Sequence, residues 1–327
     1  MFRSRLWRLA ALALVLVCQA APAAELQTQL ETLAKGALPG RFGIAVIDLP
    51  SGASWGVGAD RPFPMMSDFK AHVAAAVLAR IDAKTLSINE KVTLSRADLV
   101  PGSAVPSLGQ NFHGAHMTVS VATLLKAAVS QSDNTAVDAL IKLLGGPAAV
   151  TDYLRAHGIS ATTVTVDERG MSRVSSHLNG ALAPPAGETA AQQARREQDG
   201  FDAFVAAPPN VTTANASALF LRKLWAGQLL SPASSQYLLH LMFSQTVPSR
   251  LRGGLPPGVR LADKTGTAVS IGDHTAGYND MGIMVWPDGH VVIVVGLLSD
   301  VSAPQKERDA LLATLARTVG AALHPAP

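Results

Sequence analysis

The sequence predicts an α+β fold in which one sheet is assembled from both ends of the chain, with a helical stretch inserted between them. Three observations carry this. Residues 41–49 and 53–57 alternate or run apolar around Pro50-Ser51-Gly52, the pattern of a hairpin. Residues 281–286 and 290–299 flank Pro287-Asp288-Gly289, a second hairpin whose apolar runs suit buried strands. Between the two hairpins the periodicity is helical.

Taken in order, residues 71–81, 119–128, 136–144, 147–157, 214–226 and 232–243 read as helices. Residues 261–267 read as a further strand and 305–323 as a closing amphipathic helix. The expected organisation is one catalytic domain over 25–327. Its α/β half takes in about 25–63 and 258–327, its all-α half about 64–257, and a cleft lies where the halves meet.

The first 24 residues predict a compartment. Arg3, Arg5 and Arg8 precede an apolar run over 9–17 and then Ala21-Pro22-Ala23-Ala24. A basic start, a short apolar middle and small residues before Glu25 describe a secretory signal peptide that is removed, giving a periplasmic or secreted protein. The run is too short to span a bilayer, so no membrane partner is expected after removal. Cys18, the only cysteine, lies inside it behind Val17, a poor lipidation signal. The exported chain would therefore have no disulfide and would depend on packing. Of 27 basic residues, the loss of three arginines leaves 24 against 24 acidic ones, which excludes a basic surface for nucleic acid. A hydrophobic content of 48% excludes a disordered chain.

Three short motifs carry chemistry. Ser67-Asp68-Phe69-Lys70 leads into the first helical run, and serine with lysine three positions later places both side chains on one helix face. A hydroxyl beside a proton acceptor at a helix N-terminus is the minimum for covalent acyl transfer. Alone, the pattern also describes a capped helix with a solvated lysine. Ser132-Asp133-Asn134 follows a helical run, and Lys264-Thr265-Gly266-Thr267 lies on the strand at 261–267. Each motif occurs once, and long stretches separate them, as a cleft built from separate elements requires.

These motifs together resemble the serine penicillin-recognising enzymes, and more narrowly the class A β-lactamases. Glu168 strengthens the narrower resemblance: it lies 36 positions after Ser132, the separation class A enzymes keep to their hydrolytic glutamate. Gly145-Gly146-Pro147 also falls where that family places it. The resemblance implies a five-stranded antiparallel sheet flanked by helices, an active site at its junction with the helical half and a small-molecule β-lactam substrate; a monomer is the default expectation, and nothing in the sequence calls for a cofactor. The resemblance also implies Ser67 as nucleophile and the backbone N–H groups of Ser67 and Thr267 as oxyanion hole. Ser132 would relay a proton toward the lactam nitrogen, helped by Lys264. Asn134 would bind the substrate's side-chain amide. Lys70 and Glu168 are rival bases for acylation, and Glu168 activates the deacylating water. No metal is expected: His113 and His116 lack an acidic or cysteine partner at ligand spacing.

Departures from the family pattern matter. Val166 and Ser172 stand where many relatives have an arginine and an asparagine, the latter a holder of the deacylating water. No arginine follows on the strand after Lys264-Thr265-Gly266, and Arg250 takes its place as the expected partner, with Thr265 and Thr267, of the substrate carboxylate. That combination resembles the extended-spectrum branch typified by PER and VEB. Residues 180–210, rich in Ala, Pro and Gln around a short helix over 188–204, read as a surface insertion. Their place directly after the Glu168 segment makes them a candidate border of the cleft floor. Two other readings remain open on sequence: a D-alanyl-D-alanine carboxypeptidase or other penicillin-binding protein, and an exported non-catalytic scaffold.

Overall fold

Every residue of Val291–Ser299 is buried, so this strand is covered on both faces and must lie inside a layered structure. In the computed structural model, which describes residues 24–103, 105, 107–177, 184–246 and 250–324, it is the middle of a five-stranded sheet. Residues 24–35 form helix α1. Strands β1 (Arg41–Asp48), β2 (Ser54–Val57) and β3 (Phe63–Pro64) follow, and a 3₁₀ turn, Met66–Asp68, opens helix α2 (Phe69–Asp82). Strands β4 (Lys91–Ser95) and β5 (His116–Ser120) precede helices α3 (Val121–Ser130), α4 (Asn134–Leu144), α5 (Ala148–Ala156), α6 (Glu168–Ser175) and α7 (Ala190–Ala206). Then come β6 (Val211–Thr212), α8 (Ala214–Trp225), α9 (Pro232–Phe243) and β7 (Arg260–Thr267). The chain closes with β8 (Ser270–Ile271), β9 (His274–Thr275), β10 (Tyr278–Val285), β11 (Val291–Ser299), β12 (Val301–Ser302) and α10 (Gln305–Leu323).

The sheet order is β2-β1-β11-β10-β7, so the two ends of the chain do meet in one antiparallel sheet, with β1 pairing directly with β11. Strand period two then sorts the core. Val292, Val294 and Leu298 join Leu26 and Leu30 of α1 and Leu312, Leu315 and Val319 of α10 on one face. Val291, Ile293, Val295 and Leu297 face the other way, into a cluster with α2, α3, α4 and α8. Both hairpin turns use a glycine at positive φ, Gly52 (74°) and Gly289 (90°).

The middle of the chain is not wholly helical, a correction to the all-α reading. β4 and β5 pair over five residues each, and β3 pairs with β6. These strands are too short to stand out by alternation among longer helical patterns. The leader, with Cys18, lies outside the described residues except at Ala24. Among the described residues, no helix is long and apolar enough to cross a membrane.

Candidate active site

The plainer reading of Ser-x-x-Lys, a capped helix with a solvated lysine, does not survive. Ser67 lies in the 3₁₀ turn rather than at the N-cap of α2, and Lys70 is 0% exposed. Lys70 Nζ donates to Asn134 Oδ1 at 2.5 Å and to the Ser132 carbonyl at 2.8 Å, and it pairs with Glu168 Oε1 at 2.9 Å. Glu168 Oε1 is in turn 3.4 Å from Ser67 Oγ. Hydroxyl, ammonium and carboxylate, separated by up to 101 positions in the chain, thus share one pocket.

Ser132 presents two oxygens to this pocket because its backbone is left-handed, at φ 57°. Its carbonyl faces Lys70, while its Oγ accepts from Lys264 Nζ at 3.0 Å and lies 3.4 Å from Lys70 Nζ. Asp133 fixes that turn from below. As N-cap of α4 it accepts from Ala136 N at 2.8 Å, and its other oxygen holds Ser107 N and Leu108 N, both at 3.0 Å. Asn134 Nδ2 donates to the Pro101 carbonyl at 2.9 Å, tying that residue to the same turn.

Lys264 is fully buried on β7 and donates to Thr265 O at 2.8 Å as well as to Ser132. Burial, and then repulsion from Lys70, brings its pKa down to about 7, against the attraction of Asp68 and Asp263. Thr265 Oγ1 accepts from Gln245 Nε2 at 3.2 Å. Gly266 has a steric reason to be glycine: a Cβ there would sit 2.8 Å from the Met65 carbonyl oxygen. The strand therefore runs against the nucleophile turn at backbone distance, bringing Thr267, which is exposed, to the rim of the pocket.

Arg250 reaches the site in a different posture from the one expected. It is 5% exposed, and its Nη1 donates to the carbonyls of Gly266, at 2.7 Å, and Asn279. Its Nη2 donates to Thr267 Oγ1 at 2.6 Å, and its guanidinium lies 3.4 Å above the centre of the Tyr278 ring. The arginine stands behind Thr267 and braces the ends of β7 and β10. Ser172 is exposed one helical turn beyond Glu168.

Sequence reasoning missed the groups that hold Glu168 in place. Asp138 Oδ1 accepts from Glu168 N at 2.7 Å and Asp138 Oδ2 from Arg169 N at 3.0 Å, satisfying two free donors at the start of α6. Burial, reinforced by Asp167, pushes the Asp138 carboxyl up to about 7. Asn210 Oδ1 accepts from Thr165 N at 2.8 Å and Val166 N at 3.1 Å, and its Nδ2 donates to Val166 O at 3.0 Å. Asp138 had a legible signal, lying one helical turn after Asn134. Asn210 had none, since only the fold brings it back to residue 166. No group of three or more His, Cys, Asp or Glu suited to a metal occurs among the described residues.

Comparison with known proteins agrees with this geometry. The model of the β-lactamase enzyme family matches residues 25–323. The extended-spectrum β-lactamase PER-1 of Pseudomonas aeruginosa is 33% identical over 257 residues, covering 78% of this chain and 74% of that protein. The β-lactamase AER-1 of Aeromonas hydrophila is 29% identical over 266 residues, covering 80% and 74%. Among solved structures, an ancestral class A β-lactamase superposes with a TM-score of 0.72 at 35% identity, covering 91% of this chain and all of that one. A β-lactamase from Chitinophaga pinensis superposes with a TM-score of 0.75 at 27% identity, covering 90% and 97%. A family match running from residue 25 to 323, with a relative one-third identical, places this chain in the β-lactamase enzyme family, as a class A serine enzyme related to PER-1.

Proposed function

We propose that the protein hydrolyses β-lactams through an acyl-enzyme on Ser67 that a Glu168-activated water releases. The single observation that carries this reading is the position of Glu168 Oε1, 2.9 Å from Lys70 Nζ and 3.4 Å from Ser67 Oγ. Ser67 Oγ attacks the lactam carbonyl, and its proton passes by way of Lys70, whose Nζ lies 3.4 Å from Ser132 Oγ, toward Ser132. The N–H groups of Ser67 and Thr267 stabilise the oxyanion. As the carbon–nitrogen bond breaks, Ser132 Oγ protonates the lactam nitrogen. Its proton is replaced through Lys70 or Lys264, both within 3.4 Å of that oxygen. Lys264, with a pKa near 7, can hold or release that proton at working pH. Glu168 then deprotonates the water that attacks the ester.

Thr265 and Thr267 receive the substrate carboxylate, with Arg250 supplying positive potential and holding Thr267 in place. Arg250→Ala should raise KM more for carboxylate-bearing lactams than for analogues without the carboxylate; equal effects would remove Arg250 from this role. Asn134 Nδ2 exchanges the Pro101 carbonyl for the substrate's side-chain amide. We also assign the leader to export and removal, and the mature chain to a monomeric state.

Turnover of a chromogenic cephalosporin tests the reading. Rapid turnover that Ser67→Ala abolishes is the expected result. Stoichiometric acylation without turnover would instead indicate a penicillin-binding protein, and no reaction an idle scaffold.

A further inference from the structure

Helix α7 lies in the stretch that reads as a surface insertion, yet one face of it is buried against the site. Most of its residues are exposed, but Phe201 and Phe204 are each 1% exposed. They meet Met171 of α6, Met66, Ala268 and Ala276 in one apolar cluster, separate from the two main cores. The Phe201 ring also lies 4.7 Å, centre to centre, from the ring of His274 on β9.

Three of these partners border a catalytic element. Met66 immediately precedes Ser67 and holds a left-handed backbone at φ 48°, a conformation that persists in a side-chain-bearing residue only where its surroundings enforce it. Met171 is the only buried residue of α6, the helix that begins with Glu168. Ala268 directly follows Thr267. The cluster therefore touches the nucleophile turn, the helix of the hydrolytic carboxylate and the oxyanion strand at once.

Two further contacts bind α7 to α6. Arg196 is clasped by both oxygens of Glu188, at 2.8 and 2.9 Å, and donates to the Ser176 carbonyl at 2.6 Å. Gly200 lets the helices approach so closely that a Cβ there would sit 2.5 Å from the Ser175 carbonyl oxygen. Packing this close transmits position, because neither backbone can slide without opening the cluster.

We propose that Phe201 and Phe204 are positioning residues for deacylation: they press α6 toward the Met66–Ser67 turn and so hold Glu168 at working distance from the acylated serine. The proposal rests on the hydrolytic reading above. It concerns deacylation because α6 has no other buried apolar side chain, whereas the elements that carry Lys70 and Lys264 are packed into the main cores, and the Ser67 turn is anchored there by Met65 as well as in this cluster by Met66.

The test is pre-steady-state hydrolysis of a chromogenic cephalosporin by the full mature chain carrying Phe201→Ala and Phe204→Ala. Acylation should stay within about threefold of the parent while deacylation falls about tenfold or more, giving a burst equal to the enzyme concentration. Intact mass should show the acyl adduct accumulating. The burst itself reports a folded nucleophile site. If the alanine pair does not fold, Phe204→Leu takes its place, with deacylation alone slowed by about twofold to fourfold. Acylation and deacylation falling together, or neither falling, would overturn the proposal. Glu168→Ala run alongside separates the two readings: if it turns over normally, the hydrolytic assignment itself is wrong whatever the phenylalanines do.

Discussion

Lys70 and Lys264 are both completely buried, on a fourteen-residue helix and a central-sheet strand, whereas Glu168 is the first residue of an eight-residue helix with a single buried side chain. The elements that carry Lys70 and Lys264 are packed into the main cores, with Gly266 allowing the strand to touch the Ser67 turn. The hydrolytic side is held by discrete contacts: two N–H caps from Asp138, the Asn210 bridge and the α7 cluster. On the proposed mechanism, acylation and deacylation depend on different parts of the sequence. Substitutions on one side should damage one step, and each of the following is a way to break or sharpen that contrast.

The largest effect is expected from Gly266→Ala. Its Cβ would meet the Met65 carbonyl oxygen at 2.8 Å and Met66 Cβ and Asp68 Oδ1 at 3.0 Å, so strand or turn must move. Acylation measured by stopped flow should fall about a hundredfold. An unchanged acylation rate would show that the close approach is incidental.

Asp138→Asn acts on the opposite side and should be smaller and dependent on pH. The Asp138 carboxyl, pushed up to about 7 by burial and then by Asp167, accepts fully from both N–H groups only when ionised. Below that pH it is neutral, and asparagine imitates it. Deacylation by the variant should therefore match the parent at about pH 5.5 and fall several-fold behind at about pH 8. A ratio that does not vary with pH would mean that the charge of Asp138 has no part in holding Glu168.

Asp68→Asn should change stability rather than rate. Burial raises the Asp68 carboxyl well above its ordinary range, with Lys264 acting against the shift and Asp280 adding to it. The native state then keeps a proton that the unfolded chain releases, so stability falls as pH rises from the unfolded carboxyl's value toward the folded one. Asparagine has no such proton. The variant should gain on the parent from about pH 4 upward, by roughly 2–4 °C in Tm at about pH 8. A difference in Tm that is constant across pH would contradict this.

How far the sequence could be read follows from what kind of signal each part leaves. Helix α10 was readable to the residue, and the strands of both hairpins to within a few, because long apolar periodicity decides them. Helix α1 had a signal in Leu26, Leu30 and Leu33 at helical spacing, hidden beside the leader. Helix α6 had little: it is short, mostly polar and contains Gly170. Ser67, Lys70, Ser132, Lys264 and Glu168 were legible because their spacing matches a family, and they do come together. Arg250 does lie beside Gly266 and Thr267, but its buried posture behind Thr267 depends on carbonyls of two strands that no linear pattern relates. The 180–210 stretch reads as surface from composition, since two phenylalanines among polar residues do not reveal what they cover.

The most direct measurement is intact-protein mass spectrometry of Glu168→Ala after mixing with a penicillin. The account predicts prompt acylation and a persistent adduct on Ser67 equal to the mass of the opened lactam. Continued turnover with no adduct would mean that the carboxylate 3.4 Å from Ser67 Oγ does not release the acyl-enzyme.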